Sequence, residues 1–407
     1  MSGPLTGLRV LDLTRVLAGP WCTQILGDLG ADVIKIERPR VGDDTRHWGP
    51  PWFLRPSDGE LGESSYFLSA NRSKRSVTVD LANDEGRDLI RQLAAQSDVL
   101  VENFKTGDLA RKGLGYETLR ALNPRLIYCS ITGFGATGPQ AGQAGYDYLV
   151  QAQGGLMSLT GWADGTPGAG PMRSGLAVSD LTTGMNAAIA ILAALHHRSH
   201  SGEGQWIDLA LLDVQVSWLA NQAQGYFATG VAPARTGDQH PSLVPYQPFH
   251  AKDGLLIVAV GNDGQFQRFC AVLGREQWAQ EPQFATNYAR VTNRERLIPM
   301  LAARVATFAA ADLQERLRAV GVPCGPVQSL DQVFADPQVL ARHMVVETPH
   351  RRLGRIKTVA NPAKYSATPP SYEKGPPTLG EDTATVLSER LGLTPEAIER
   401  LRRRGVI

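Results

Sequence analysis

Leu8-Arg-Val-Leu-Asp-Leu-Thr14, an apolar helical pattern near 21–29 and then Val33-Ile-Lys-Ile-Glu37 decide the fold. Two short runs rich in branched residues flank one helix, which is the signature of a βαβ unit, and a helical crossover makes its two strands parallel. The alternation continues outward with a strand over 76–81, a helix over 83–95, a strand over 99–104, a helical stretch over 108–122 and a strand over 125–132. Strands separated by helices imply an α/β chain with a parallel sheet covered on both faces. Asn83 sits where an N-cap belongs, and Asp84 and Glu85 suit the first turn of the helix that follows.

The segments 145–159 and 181–196 read as helices made of small and apolar residues, with Gly184, Ala187, Ala188 and Ala190 permitting close approach of another backbone. A strand over 205–210 leads into a helix through Ala220, and the Gly- and Pro-rich segment 230–248 marks a domain boundary. Past it, the turn Lys252-Asp-Gly254, an apolar strand over 255–260 and helical patterns near 265–273 and 295–320 form a smaller α+β domain. A second Pro-rich passage, 362–377, is expected to run extended over a surface. At 407 residues the chain has room for two domains, each with its own core.

Lys and Arg number 41 against 40 acidic residues, so no excess charge draws the chain to nucleic acid or to an anionic membrane, and an anionic ligand must be met locally. Cys22, Cys129, Cys270 and Cys324 lie far apart, without metal-ligand spacing, and read as reduced, buried thiols. The stretch Met1-Ser-Gly-Pro4 has no signal-peptide pattern, and no apolar run approaches the roughly 18 residues of a membrane span. The expected compartment is the cytoplasm.

Gly133-Phe-Gly-Ala-Thr-Gly138 fits G-x-G-x-x-G, the dinucleotide fingerprint, but Pro139 and the small residues to Gly145 predict continued loop where that motif must open a helix. A structural turn is the preferred reading. The first βα junction, Thr14-Arg-Val-Leu-Ala-Gly-Pro20, has small residues that let backbone N–H groups approach a ligand, although a tight connection with Pro in the first helical turn explains Gly19 and Pro20 equally well. Arg38, Arg72, Lys74, Arg75 and Arg111 recur near strand ends, where converging cations hold a polyphosphate, while each taken singly reads as a solvated charge. Asp180 stands directly before an apolar helix that it can cap; that position favours an ionised carboxylate, which a nucleophile needs, and equally describes an ordinary N-cap.

Taken together, Val10-Leu-Asp-Leu-Thr-Arg-Val-Leu-Ala-Gly-Pro20, Ala31-Asp-Val-Ile-Lys-Ile-Glu-Arg38, Gly42-Asp-Asp-Thr-Arg46, Val101-Glu-Asn-Phe104, Gly145-Tyr-Asp147, Asp180 with its Thr-Gly, and Gly321-Val-Pro-Cys-Gly-Pro326 resemble the family III CoA-transferases, the group of formyl-CoA transferase and carnitine CoA-transferase. Through 42–51, 128–135 and 244–247 the chain is most similar to the branch that exchanges CoA between succinyl-CoA and glutarate or hydroxymethylglutarate. The resemblance implies a Rossmann-like large domain built from both chain ends (1–225 with 331–407), a smaller central α+β domain (226–330) and an interlocked homodimer. It implies that CoA contacts fall on Val16, Leu17, Ala18, Arg38, Arg72, Lys74, Arg75, Asn103, Phe104, Arg111 and Tyr146, and that the catalytic aspartate is Asp180. Leu17 stands where formyl-CoA transferase has Gln, and that enzyme's Gly-rich active-site loop is not recognisable here.

The chemistry implied is carboxylate attack on an acyl-CoA, through a mixed anhydride and an aspartyl-CoA thioester, with coenzyme A as substrate and no metal or tightly bound cofactor. A dicarboxylate acceptor would need a distal contact, for which Arg46, Arg173 and His240 are candidates by motif position. The alternatives are an α-methylacyl-CoA racemase, which places His where this chain has Tyr146, a poor base at neutral pH, and a non-catalytic CoA-binding protein. An NAD-dependent oxidoreductase rests on the Gly133 motif alone.

Overall fold

A computed structural model describes residues 3–55 and 58–407; Met1 and Ser2, which formed part of the N-terminal reading above, lie outside them. The chain forms two compact units. One comprises the chain up to Leu156, Ser174–Ala223 and Pro337–Ile407, and the other Met157–Arg173 with Gln224–Asp336. The segment 157–173, which the sequence reading kept within 1–225, belongs with the second unit because Asp164 and Arg235 pair through side chains and exchange backbone contacts as well.

In the first unit, six strands form one sheet: β1 (Arg9–Asp12), β2 (Asp32–Glu37), β3 (Lys74–Thr78), β4 (Val99–Glu102), β5 (Ile127–Thr132) and β6 (Trp206–Ala210). Every pairing is parallel, and the order is β3-β2-β1-β4-β5-β6, that of a doubly wound nucleotide-binding sheet. Alternate side chains enter different layers. Val10, Val33, Val99 and Ile127 pack under α1 (Ala18–Asp28) and α4 (Val178–Ser201), whereas Leu11, Ile34 and Leu100 meet α2 (Asp84–Ala95) and the penultimate helix, Thr383–Leu391. Asn83 caps α2 by accepting the N–H of Glu85.

Glycines break two of the helices read from the sequence. The stretch 108–122 divides into Asp108–Arg111 and Tyr116–Leu122 around Gly113, at φ 67°, and 145–159 divides into α3 (Asp147–Gln153) and Leu156–Leu159 around Gly155, at φ 85°. Gly133 is a turn residue, as read: its Cα lies so close to Gly145 that a Cβ would sit 2.4 Å from the Gly145 Cα, and no helix opens before Asp147.

Helix α4 is 24 residues long and, among the described residues, is apolar enough to cross a membrane by length and composition. That corrects the expectation that no apolar run approaches such a length. Its composition has a packing cause: Gly184, Ala187, Ala188 and Ile191 are buried, and Gly184 abuts the backbone of α1, where a Cβ would lie 2.5 Å from the Ala18 carbonyl oxygen.

The second unit has a three-stranded antiparallel sheet, Cys324–Pro326, Leu255–Ala259 and Tyr246–His250, packed through Leu256, Val258, Phe266, Phe269 and Leu301. Cys22, Cys129 and Cys270 are buried free thiols, whereas Cys324 is half-buried.

Candidate active site

In a doubly wound sheet the ligand crevice lies beyond the carboxyl ends of the strands, where the connections diverge. Here that point is between β1 and β4, the strands that precede Thr14–Leu17 and Asn103-Phe104.

Polar side chains clamp the β1–α1 junction from several sides. The Asp12 carboxylate accepts the N–H of Thr14 at 2.9 Å and its hydroxyl at 2.5 Å. The Asn103 amide accepts from the Arg15 N–H at 2.9 Å and donates to the Arg15 carbonyl at 2.7 Å. Asp43 accepts the N–H of Val16 at 3.2 Å. After the clamp the chain enters α1, whose N-terminus no side chain caps, leaving a helix end of positive partial charge.

That helix end opens on a cavity of about 210 Å³ whose lining includes Val16, Leu17, Ala18, Asn103, Phe104, Lys105, Thr106, Gly145, Tyr146 and Asp180. An adjoining cavity of about 250 Å³ shares Arg15 and Phe104 with it and adds Arg38, Lys112 and Val79 to Ala82. Arg15 and Arg38 both ion-pair with Asp44 at 3.0 Å, which gathers two cations between the cavities. The pair of cavities offers a polar end beside Asp180 and, beside Arg38, a partly apolar end lined by Arg15, Arg38 and Lys112 but also by Glu37, Asp43 and Asp80.

Asp180 lies in the first turn of α4, inside the helix that starts at Val178 and not at its cap. Its backbone N–H donates to Asp147 at 3.2 Å, the Ser179 N–H donates to the same oxygen at 2.8 Å, and Gln151 donates to the other Asp147 oxygen at 2.6 Å. Burial, and then the Asp147 charge, push the Asp180 carboxyl up to about 7. The helix-end argument for a fully ionised carboxylate is therefore outweighed: near neutral pH Asp180 is poised at its titration point.

Of the expected CoA contacts, Val16, Leu17, Ala18, Asn103, Phe104 and Tyr146 share the cavity with Asp180, and Arg38 lines the adjoining one. Arg72 and Arg75 do not come to this edge, whereas the Lys74 ammonium reaches the β1–α1 junction, bonding Asp12 at 3.2 Å and the Pro20 carbonyl at 2.9 Å, without lining either cavity. All three lie at or just before the start of β3, and in a parallel sheet that places their backbone opposite the carboxyl ends. Their cations are committed as well: Arg72 to Asp28 in a bidentate pair, fully buried Lys74 to Asp12 at 3.2 Å, and Arg75 to Asp32 and Glu389. Burial brings Lys74 down to about 8 despite the Asp12 charge. The other end of the same strand, Val79 to Ala82, reaches the crevice instead. Arg111 is exposed beside Asp108 and lines neither cavity.

The distal-contact candidates also separate. Arg46 is buried and donates to both oxygens of Glu37, at 2.7 and 2.8 Å, while Arg173 and His240 belong to the second unit. The sequence reading missed roles for Arg15, Lys35, Asp43, Asp44, Lys112 and Asp147. Arg15, Lys35, Asp43, Asp44 and Asp147 all stood inside quoted motifs, which was the signal available, whereas Lys112 stood in none.

Residues 5–383 match the model of CoA-transferase family III, and the chain belongs to that family. It is an enzyme of the CoA-transferase class, whose substrates are CoA thioesters. Among its relatives, the succinate–glutarate CoA-transferase of Agrobacterium fabrum is 49% identical over 98% of this chain and 97% of its own length. The succinyl-CoA:glutarate CoA-transferase of Mus musculus is 44% identical over 99% and 90%. A CAIB/BAIF family protein from Brucella suis has a solved structure that superposes with a TM-score of 0.84 at 46% identity, covering 96% of this chain and 100% of that one.

Proposed function

We propose that this enzyme transfers CoA from succinyl-CoA to glutarate or a dicarboxylate of similar length, with Asp180 as the nucleophile. The observation that carries the reading is the placement of a titrating carboxyl, Asp180, in one cavity with the uncapped start of α1 at the switch point of the sheet. The acyl pair is the one named for relatives that align along almost the full chain.

An Asp180 carboxylate oxygen attacks the succinyl thioester carbonyl, the C–S bond breaks, and CoA thiolate leaves a mixed succinyl-aspartyl anhydride. The thiolate then attacks the aspartyl carbonyl of the anhydride, releasing succinate and forming an aspartyl-CoA thioester. A glutarate carboxylate attacks that thioester and expels the thiolate, and the thiolate attacks the glutaryl carbonyl of the new anhydride. Glutaryl-CoA leaves and Asp180 is regenerated. Each tetrahedral intermediate carries an oxyanion, for which the amides at the start of α1 are the available donors; one such donor is worth roughly 100- to 1000-fold in rate. Arg15, Arg38 and Lys112 suit the phosphates of CoA.

A homodimer, interlocked as the resemblance implies, belongs to the same reading. Its support is the outer face of α4, an apolar helix buried on one face only, where Met185 and Ile189 are 40% and 63% exposed. Light scattering tests it, with the mass of two chains expected.

The substrate test is incubation of purified enzyme with succinyl-CoA and glutarate, with glutaryl-CoA followed by mass spectrometry. Formation of glutaryl-CoA with release of succinate is expected. No exchange with this pair, while another acid such as oxalate or mesaconate is converted, would overturn the assignment.

A further inference from the structure

We propose that Asp43 is a positioning residue: it holds Val16 in a left-handed turn and so fixes the first amides of α1 opposite Asp180. The inference rests on the reading of Asp180 as the nucleophile and adds to it a residue whose carboxylate is wholly buried beside the Arg38 cavity.

Val16 has φ 70°, a conformation that residues with a Cβ rarely adopt and that branched ones tolerate least. Such a conformation persists only where its surroundings over-determine it. Here every backbone polar group leading into it is held. Lys35 donates to the Thr14 carbonyl at 2.9 Å, Asn103 bonds both the N–H and the carbonyl of Arg15, and Asp43 accepts the N–H of Val16 itself. The oxygen that takes Val16 also takes the N–H and hydroxyl of Thr45, at 3.0 and 2.8 Å, while the other oxygen pairs with Lys35 at 2.9 Å.

Both charged side chains are wholly buried. A buried ion pair is poor evidence for stability, because an apolar pair of similar volume often serves as well. What an apolar pair lacks is an acceptor for the Val16 N–H. The turn delivers the chain into α1 at Ala18, whose carbonyl lies against Gly184, one turn along α4 from Asp180. Any relaxation of Val16 therefore moves the α1 amides relative to the carboxylate, and misplacement by about 1 Å can cost on the order of 100-fold in rate.

The test compares two neutral replacements of the buried pair. Lys35→Met with Asp43→Asn keeps an oxygen for Val16, and Lys35→Met with Asp43→Leu removes it. The first is expected within about 5-fold of wild-type kcat and the second about 100-fold below it, at similar KM for the acyl-CoA. Adding Val16→Gly to the second pair should recover at least about 10-fold, because glycine takes a positive φ without strain. Circular dichroism and thermal melts confirm that the variants compared are folded. Equal kcat for the two pairs, or no recovery with glycine while both fold, would overturn the positioning role alone. Wild-type turnover without an Asp180 adduct would overturn the reading beneath it as well.

Discussion

The Asp147 carboxylate accepts the backbone N–H of Asp180 at 3.2 Å, so the group that orients the start of α4 also places a negative charge beside the proposed nucleophile. Burial and this charge hold the Asp180 carboxyl at about 7, against the ordinary value near 4. The acyl-transfer half-reaction should therefore gain rate as pH rises through about 7, as the carboxylate forms. Asp147→Asn keeps an acceptor but removes the charge, which lowers the Asp180 pKa and shifts the ascending limb to lower pH. Single-turnover rates across pH 5 to 9 for both proteins check the direction.

Glu102, at the end of β4, is also pushed up to about 7 by burial, while it accepts the Phe104 N–H at 2.8 Å. Its folded pKa lies above the unfolded one, so the ionised form is disfavoured by folding and stability falls as pH rises from about 4.5 through 7. Glu102→Gln escapes that loss. Urea unfolding should find the variant more stable by about 1–3 kcal/mol at pH 8 and nearly equal to wild type at pH 4.

Arg46 was a candidate contact for the far end of the acceptor, yet its guanidinium is buried on Glu37 and lies 3.7 Å from the Phe67 ring centre. Arg46→Met leaves Glu37 buried without its partner, at a cost of about 3–5 kcal/mol. Chemical denaturation should show that loss. A raised KM for the acceptor at unchanged stability would instead restore the substrate-contact role.

Gly184 ties the packing of α4 to the geometry of the site. A methyl there would sit 2.5 Å from the Ala18 carbonyl oxygen. Gly184→Ala should force α1 and α4 apart, cost about 1–3 kcal/mol of stability and lower CoA exchange well beyond the loss of folded protein. Melting curves and kcat per folded site separate the two effects.

The βαβ alternation was legible because branched runs and helical patterns are local signals, and they led directly to a parallel sheet. Strand order is not local, and without it neither the distance of Arg72 and Arg75 from the crevice nor the commitment of Lys74 to Asp12 could be read: all three lie close in sequence to Val79, which lines the crevice, but at the other end of the same strand. Asp180 was found through family motifs. Its pKa depends first on burial and then on Asp147, 33 residues away in the chain, and both arise only in the fold. Lys35 and Asp43 were hidden for a related reason, since a lysine within an apolar strand and an aspartate in a loop become one clamp only after β2 is placed beside β1.

The most direct test of the Asp180 mechanism is mass spectrometry of the protein and its peptides after reaction with succinyl-CoA, with hydroxylamine as trap and Asp180→Ala as control. A modification on the peptide containing Asp180, converted to the hydroxamate by hydroxylamine and missing from the control, is expected. Turnover by wild type with Asp180 unmodified, or by Asp180→Ala at a comparable rate, would contradict it.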